Sequence, residues 1–209
     1  MDEIIKEVAQ KLVDCYNGKT TLRFPQYRKD DEKLIPEQES NDNKRISEQE
    51  SKFFFSVVFD KQKPPFSFAV EVPTKEPHCF TGEIAHQRSA LHDMVIYEEK
   101  ENQKFKWVIE LKSKQSNTIK KDFIKMAKAE CNCVWFHTLE SEASETIPAL
   151  LNKFKKSWDE IKREFLGEYE WNFAIVVLKS GYLYRKKIKT NDKTSFPNNE
   201  AEWMDIKLE

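Results

Sequence analysis

The chain has 209 residues, enough for one sizeable core, and it is 39% hydrophobic and 34% charged with only 4 Gly and 8 Pro. Its 15 Phe and 5 Trp exclude a disordered or low-complexity chain. The 35 basic residues nearly balance the 36 acidic ones, so the total charge by itself disfavours binding to nucleic acid.

The start of the chain and its cysteines favour a cytoplasmic location. The opening Met-Asp-Glu-Ile-Ile-Lys lacks the basic-then-apolar pattern of a signal peptide, and no apolar run is long enough to cross a membrane. Four cysteines are too few for a disulfide scaffold. Cys131, Cys133 and His137 fit a strand with buried thiols in a reducing compartment, and a zinc fragment is the alternative. We therefore expect a cytoplasmic protein with no membrane association.

The apolar spacing predicts an α/β protein. Helical stripes predict helices over residues 2–16, 46–60, 118–130 and 146–166. Alternating and apolar runs predict strands over residues 66–72, 93–97, 105–112, 131–138, 172–179 and 182–189, with a short strand near 203–208. The charged turn after residue 97 predicts that the second and third strands form a β-hairpin. Residues 18–44 are polar and predict a long loop, whereas residues 75–91 favour no single structure.

We predict a single domain over residues 1–209, because no repeat and no linker divides the chain. Within it, residues 1–44 form an N-terminal helix and a polar loop. Residues 45–138 form the core, and residues 139–209 add a C-terminal helix and strands.

Acidic residues fall at definite places in the core. Asp93 opens the second strand, and Glu110 and Lys112 lie two residues apart in the third, so both project from one face of that strand. Asp93 can face them across the hairpin, and Glu50 comes from the preceding helix. Carboxylates that converge from two strands suit Mg²⁺ or Mn²⁺. A lysine on the same face can orient the attacking water, help deprotonate it or stabilise a phosphate in the transition state, which together predicts a metal-dependent phosphodiesterase.

The spacing Glu-x-Lys is common in so charged a chain. It recurs at Glu50–Lys52, Glu98–Lys100 and Glu160–Lys162, in predicted helices or a turn where charges face solvent. Only Glu110–Lys112 lies in an apolar strand, where charges are costly unless they are paired or bind a ligand. We therefore give weight only to this copy.

The order helix, three strands, helix, strand over residues 45–138, with Asp93 and the Glu110-x-Lys112 pair, resembles the PD-(D/E)XK nuclease superfamily. His92 stands where the family pattern has Pro. The resemblance implies a restriction-endonuclease-like core, with Asp93 and Glu110 binding Mg²⁺ or Mn²⁺ and Lys112 serving the attacking water.

Many members of this superfamily add a glutamate from the first core helix. Glu50 lies on the apolar face of that helix and Glu48 lies off it, so we predict Glu50 as the third metal-binding and catalytic carboxylate. Glu71 in the first strand is either a further ligand or an edge-strand charge, so the choice among the three stays open. The predicted substrate contacts are Arg88, Lys114 and Gln115, with surface loop residues as the alternative.

The charges are unevenly distributed along the chain. Residues 112–128 hold six Lys and one Asp, and residues 179–193 hold six Lys or Arg and one Asp. Residues 1–51 offset them with twelve acids against nine bases. The basic stretches are candidates for phosphate contacts, or else solvated faces.

We therefore predict a Mg²⁺-dependent nuclease that acts on nucleic acid, with DNA as the expected substrate. A homodimer or a partner protein is left open, since no stretch of sequence marks an interface. One alternative is a non-catalytic nucleic-acid-binding or assembly module on the same fold. Another is an unrelated α/β protein, which predicts a different strand order around residues 66–138.

Overall fold

The computed structural model describes residues 1–24, 46–63, 66–74, 90–98, 104–113, 119–142, 146–161, 167–190, 196 and 203–209. These residues form four helices: α1 (Asp2–Tyr16), α2 (Glu48–Lys61), α3 (Ile119–Lys128) and α4 (Ile147–Ile161). Their seven strands are β1 (Phe68–Pro73), β2 (Leu91–Tyr97), β3 (Phe105–Ser113), β4 (Asn132–Leu139), β5 (Glu170–Val177), β6 (Tyr182–Lys189) and β7 (Met204–Lys207).

The seven strands form one mixed sheet in which the spatial order follows the chain order. Strands β1, β2 and β3 form an antiparallel meander, and β4 is parallel to both β3 and β5. Strands β6 and β7 then continue antiparallel. The parallel pairs follow from the two helices α3 and α4, since parallel neighbours require a crossover connection. The predicted α/β class is confirmed.

Every predicted helix and strand has a counterpart in the structure, with ends that differ by a few residues. The predicted hairpin is present as the antiparallel pair β2 and β3. Helix α2 begins at Glu48, later than predicted, because Ser47 adopts an extended backbone and caps the helix. Most of the predicted loop and of the unassigned segment falls within residues 25–45 and 75–89, which lie outside the described residues.

The helices cover the two faces of the sheet and create two cores. Helices α1 and α2 pack on one face around Phe55 and Phe136, and α3 and α4 pack on the other around Phe154 and Trp135. Apolar residues line both sides of the central strands, as is usual for parallel strands covered by helices. Any charged side chain within a central strand is therefore enclosed by apolar neighbours.

The described cysteines are buried free thiols: Cys15, Cys131 and Cys133. Within the described ranges, no group of three or more His, Cys, Asp or Glu side chains is arranged to hold a metal ion. No helix in the described part of the chain has the length and apolar composition to span a membrane.

We expect Phe154→Ala to lower the free energy of unfolding by about 3–5 kcal/mol, because its buried ring contacts Phe123, Trp135 and Phe173 and its loss leaves a cavity. Chemical denaturation measures the change. The matched control is Phe53→Ala, since Phe53 is 50% exposed and its loss is expected to cost less than about 1 kcal/mol. Equal losses in the two variants would contradict the assigned core.

Candidate active site

Asp93 binds the neighbouring strand through its side chain. The pairing of β2 with β3 runs to Met94 and Ile109. Beyond that point, Oδ2 of Asp93 accepts a hydrogen bond of 2.7 Å from the backbone N–H of Leu111. The amide that is bound lies between Glu110 and Lys112, so Asp93 is fixed next to both. The structure thus brings together the three residues of the strand pattern.

Glu110 is completely buried, and both of its carboxylate oxygens have partners. Oε1 shares a hydrogen bond of 3.0 Å with Nδ1 of His92, and Oε2 accepts one of 2.7 Å from the ammonium group of Lys125. All three side chains are buried: the exposed fractions are 0% for Glu110, 1% for His92 and 6% for Lys125. Such a charge is stable in an apolar strand only when it is paired and hydrogen-bonded.

Helix α3 contributes two charged residues to this network. Lys125 also donates to the carbonyl oxygen of Leu91 at 2.9 Å and contacts Oδ1 of Asp122 at 3.1 Å. The other oxygen of Asp122 lies 3.2 Å from Nζ of Lys112. Lys112 in turn lies over the ring of Trp135, 5.9 Å from the ring centre. The carboxylate of Asp122 therefore links the two lysines.

The two glutamates at the start of α2 have different contacts. Oε1 of Glu48 lies 4.0 Å from Nζ of Lys112, which brings Glu48 to the edge of the network. Oε2 of Glu50 instead accepts hydrogen bonds from the backbone N–H and the hydroxyl of Ser47, at 3.2 and 2.7 Å. This is a capping box, so the carboxylate of Glu50 stabilises the helix start. The structure thus places Glu48, and not Glu50, next to Lys112, and the choice between them as a metal ligand stays a prediction.

Glu71 lies opposite Asp93 where β1 and β2 change faces. Its φ of 53° is left-handed, which is uncommon for a residue with a side chain. Phe68 packs in the core of α1 and α2, whereas Val72 packs in the core of α3 and α4. In a regular strand both would face one side. The carboxylate of Glu71 is mostly exposed and pairs with Lys52 at 3.1 Å, as an edge-strand charge would.

The predicted substrate contacts Arg88, Lys114 and Gln115 lie outside the described residues. The described part of the second basic stretch lies beside carboxylates. Arg185 is 2.6 Å from Asp2, Lys187 is 3.3 Å from Glu170, and Lys189 is 3.7 Å from Glu168. In the first stretch, Lys112 and Lys125 belong to the buried network and Lys120 is 2.6 Å from Glu160. Phosphate contacts by these lysines and arginines stay a prediction, and they would compete with these ion pairs.

Burial dominates the electrostatics of the network. It raises the pKa of Glu110 well above its usual value, although the Lys125 ammonium group opposes this effect. Burial also raises the pKa of Glu48, against the attraction of Lys112. For His92, burial and the positive charge of Lys125 lower the pKa to about 4, so the ring is neutral at pH 7.

Both lysines of the network remain protonated at neutral pH. Burial by itself lowers the pKa of Lys112, but the carboxylates of Asp122 and Glu48 outweigh it and raise the pKa above its usual value. The pKa of Lys125 is raised in the same way, by Glu110 and Asp122 against the effect of burial. Two ammonium groups thus face the carboxylates of the site.

The carboxylates of the network are of the kind that a hard divalent cation prefers, although these described side chains are not arranged as a metal site in the structure. Asp93, Glu110 and Glu48 offer carboxylate oxygens, which Mg²⁺ and Mn²⁺ prefer. In the structure, Oε1 of Glu110 is hydrogen-bonded to His92 and Oε2 is held by the Lys125 ammonium group at 2.7 Å, so an ion that approaches Oε2 meets a positive charge already in place.

Two residues of the network, Asp122 and Lys125, were not predicted from the sequence. Both lie on the buried face of α3 with Ile119, Phe123 and Met126. A lysine and an aspartate three residues apart on an apolar stripe signal a buried ion pair, and this pattern could have located them. His92 was noted only as a departure from the family pattern, whereas in the structure it is a partner of Glu110.

Comparison of the chain with protein-family models, with curated proteins and with solved structures found no match.

We expect His92→Gln to change how stability depends on pH. Because the pKa of His92 is about 4 in the folded protein and 6.5 in the unfolded chain, its contribution is complete above pH 6.5 and is lost as the pH falls toward 4. The wild type should lose about 3 kcal/mol more than the variant over this interval. Urea denaturation at pH 7 and at pH 4 measures the difference. Equal losses in the two proteins would contradict the assignment of a buried, neutral His92.

Proposed function

We propose that the protein is a metal-dependent nuclease that hydrolyses phosphodiester bonds of nucleic acid, with DNA as the expected substrate. The single observation that carries the proposal is the hydrogen bond from the Leu111 amide to Asp93, which holds this carboxylate beside Glu110 and Lys112. These residue types at this place in an α/β sheet are the parts of a metal-assisted phosphodiesterase.

The order of elements around the network supports the same proposal. Helix α2 is followed by the antiparallel strands β1, β2 and β3, then by α3 and the parallel strand β4. This is the order that the resemblance to the PD-(D/E)XK superfamily implies, and it disfavours the alternative of an unrelated strand order. The network lies where β3 ends beside the parallel strand β4, and ligands of open α/β sheets commonly bind near such strand ends.

In the proposed mechanism, Asp93, Glu110 and Glu48 would hold a divalent cation. When bound, such an ion polarises a phosphoryl oxygen, lowers the pKa of water and neutralises charge that develops in the transition state. Because Lys112 keeps its proton, its part is to donate hydrogen bonds to the phosphate and to stabilise negative charge. Asp122 holds the Lys112 ammonium group at 3.2 Å and so positions it for this purpose.

We expect Asp93→Asn and Lys112→Ala each to lower the rate of metal-dependent cleavage by at least about 100-fold. The asparagine can still accept the hydrogen bond from Leu111, so the melting temperature of this variant should change little. The assay incubates the protein with Mg²⁺ or Mn²⁺ and plasmid, linear, single-stranded and RNA substrates.

The control for these two variants is Lys104→Ala. Lys104 is 69% exposed and pairs with Glu98 at the turn of the hairpin, so its loss should leave cleavage unchanged. Cleavage that persists in both site variants would refute the proposed function.

A second comparison separates the two helix glutamates. Glu48→Gln should lower cleavage at least about tenfold while the protein keeps its stability, because Glu48 faces Lys112 and its side chain is 38% exposed. Glu50→Ala should lower the free energy of unfolding by about 0.5–2 kcal/mol through loss of the capping box, with a smaller effect on cleavage. Single-turnover assays and thermal melts measure the two effects. A larger loss of cleavage in the Glu50 variant would contradict this interpretation.

One observation favours the second candidate, a non-catalytic module on the same fold. Each oxygen of Glu110 already has a protein partner, so side chains of the chain itself compensate the buried carboxylate. Calorimetric titration with Mn²⁺ separates the two functions. Binding that is lost in Asp93→Asn supports the nuclease, and no binding to the wild type supports the module.

A further inference from the structure

Lys125 places a positive charge on the carboxylate that the proposed function assigns to a metal ion. Its ammonium group meets three oxygens: Oε2 of Glu110 at 2.7 Å, the carbonyl of Leu91 at 2.9 Å and Oδ1 of Asp122 at 3.1 Å. An ammonium group has three donors, so each can point to one of these oxygens. The side chain is only 7% exposed. Strands β2 and β3 and helix α3 thus form an oxygen cage around a resident cation.

We propose that a divalent ion binds Glu110 only in exchange for the Lys125 ammonium group, so that Lys125 sets the metal affinity of the site. The inference rests on the proposed function, because it concerns the same carboxylate. Two cations cannot share Oε2 of Glu110 at short distance without strong repulsion. A bound ion would replace the positive charge that Lys125 supplies, and Glu110 would not be left buried and unpaired.

Lys125 is better suited to leave Glu110 than His92 is. The lysine has a flexible four-carbon stem and a neighbouring carboxylate, Asp122, that can keep its charge paired after it withdraws. The His92 ring is 1% exposed and sits on a short side chain, so its departure from Glu110 would open the core. Exchange of one cation for another is therefore the less costly route.

The exchange can be observed directly in the wild-type protein by nuclear magnetic resonance of lysine ammonium groups. A buried ammonium group with three acceptors exchanges its protons slowly enough to give a signal, which Lys125→Arg identifies by its absence. We expect this signal to vanish as Mg²⁺ is added, with the half-saturation that calorimetry gives for Mg²⁺. A signal that persists at saturation would overturn the proposal and leave the proposed function intact.

A variant tests the same exchange through affinity. Lys125→Gln removes the competing charge but keeps donors for the oxygen cage, so we expect Mn²⁺ to bind at least about tenfold more tightly than in the wild type. The matched control is Lys120→Gln on the same helix, whose exposed ammonium group pairs with Glu160. It should bind Mn²⁺ as the wild type does.

The remaining outcomes separate the two proposals. Equal affinity in Lys125→Gln and the wild type would overturn the exchange alone. No metal binding to the wild type or to either variant would overturn the exchange together with the proposed function. If Lys125→Gln fails to fold, the resonance experiment on the wild type still decides.

Discussion

The site depends on one constraint: a glutamate lies at the centre of an apolar sheet with no access to water. Removal of one partner from such a buried pair typically costs about 3–5 kcal/mol, so the neighbours of Glu110 are fixed by the need to compensate it. His92 from β2 and Lys125 from α3 meet this need at 3.0 and 2.7 Å. The charge distribution of the site thus follows from the need to compensate this single carboxylate.

The same network connects the lysine that compensates Glu110 with the lysine of β3. Asp122 contacts Lys125, which compensates Glu110, and Lys112, which is proposed to act on phosphate. Removal of the charge of Lys112 or of Lys125 would therefore alter the electrostatic environment of the other lysine, because both contact Asp122. Networks of this kind are stable when every member is satisfied and become costly when one member is missing.

Local patterns were enough to predict the helices and strands, because each element buries one face and its apolar residues recur at the matching period. They also led to Asp93, Glu110 and Lys112, because a charge in an apolar strand is costly unless it is paired or binds a ligand. They did not separate Glu48 from Glu50. The apolar face of α2 predicts that Glu50 is buried, and it is, but a buried carboxylate near a helix start can also cap the helix, as Glu50 does here.

Asp122 and Lys125 were missed although their spacing on the apolar face of α3 indicates a buried pair. The sequence does not show which groups they meet. Glu110 and Leu91 lie 15 and 34 residues before Lys125, and the packing of α3 on β2 and β3 brings them to its ammonium group. The basic stretches show the same limit. A run of lysines indicates a basic surface only if its neighbours in space are not acidic, and Lys187 and Lys189 lie beside Glu170 and Glu168.

The left-handed residue Glu71 has a consequence for the first two strands of the sheet. Because β1 changes faces at Glu71, two side chains an even number of residues apart can belong to different cores, as Phe68 and Val72 do. In β2, His92 contacts Glu110 on the side of α3, whereas Met94, two residues later, packs in the core of α1 and α2. The location of the site thus depends on the backbone conformation at Glu71 as well as on the side chains of the network. On either side of Glu71, an apolar residue can be replaced by another that fits the same core. An alternating apolar pattern that continued unbroken through Glu71 would place the following side chains on the wrong face of the sheet.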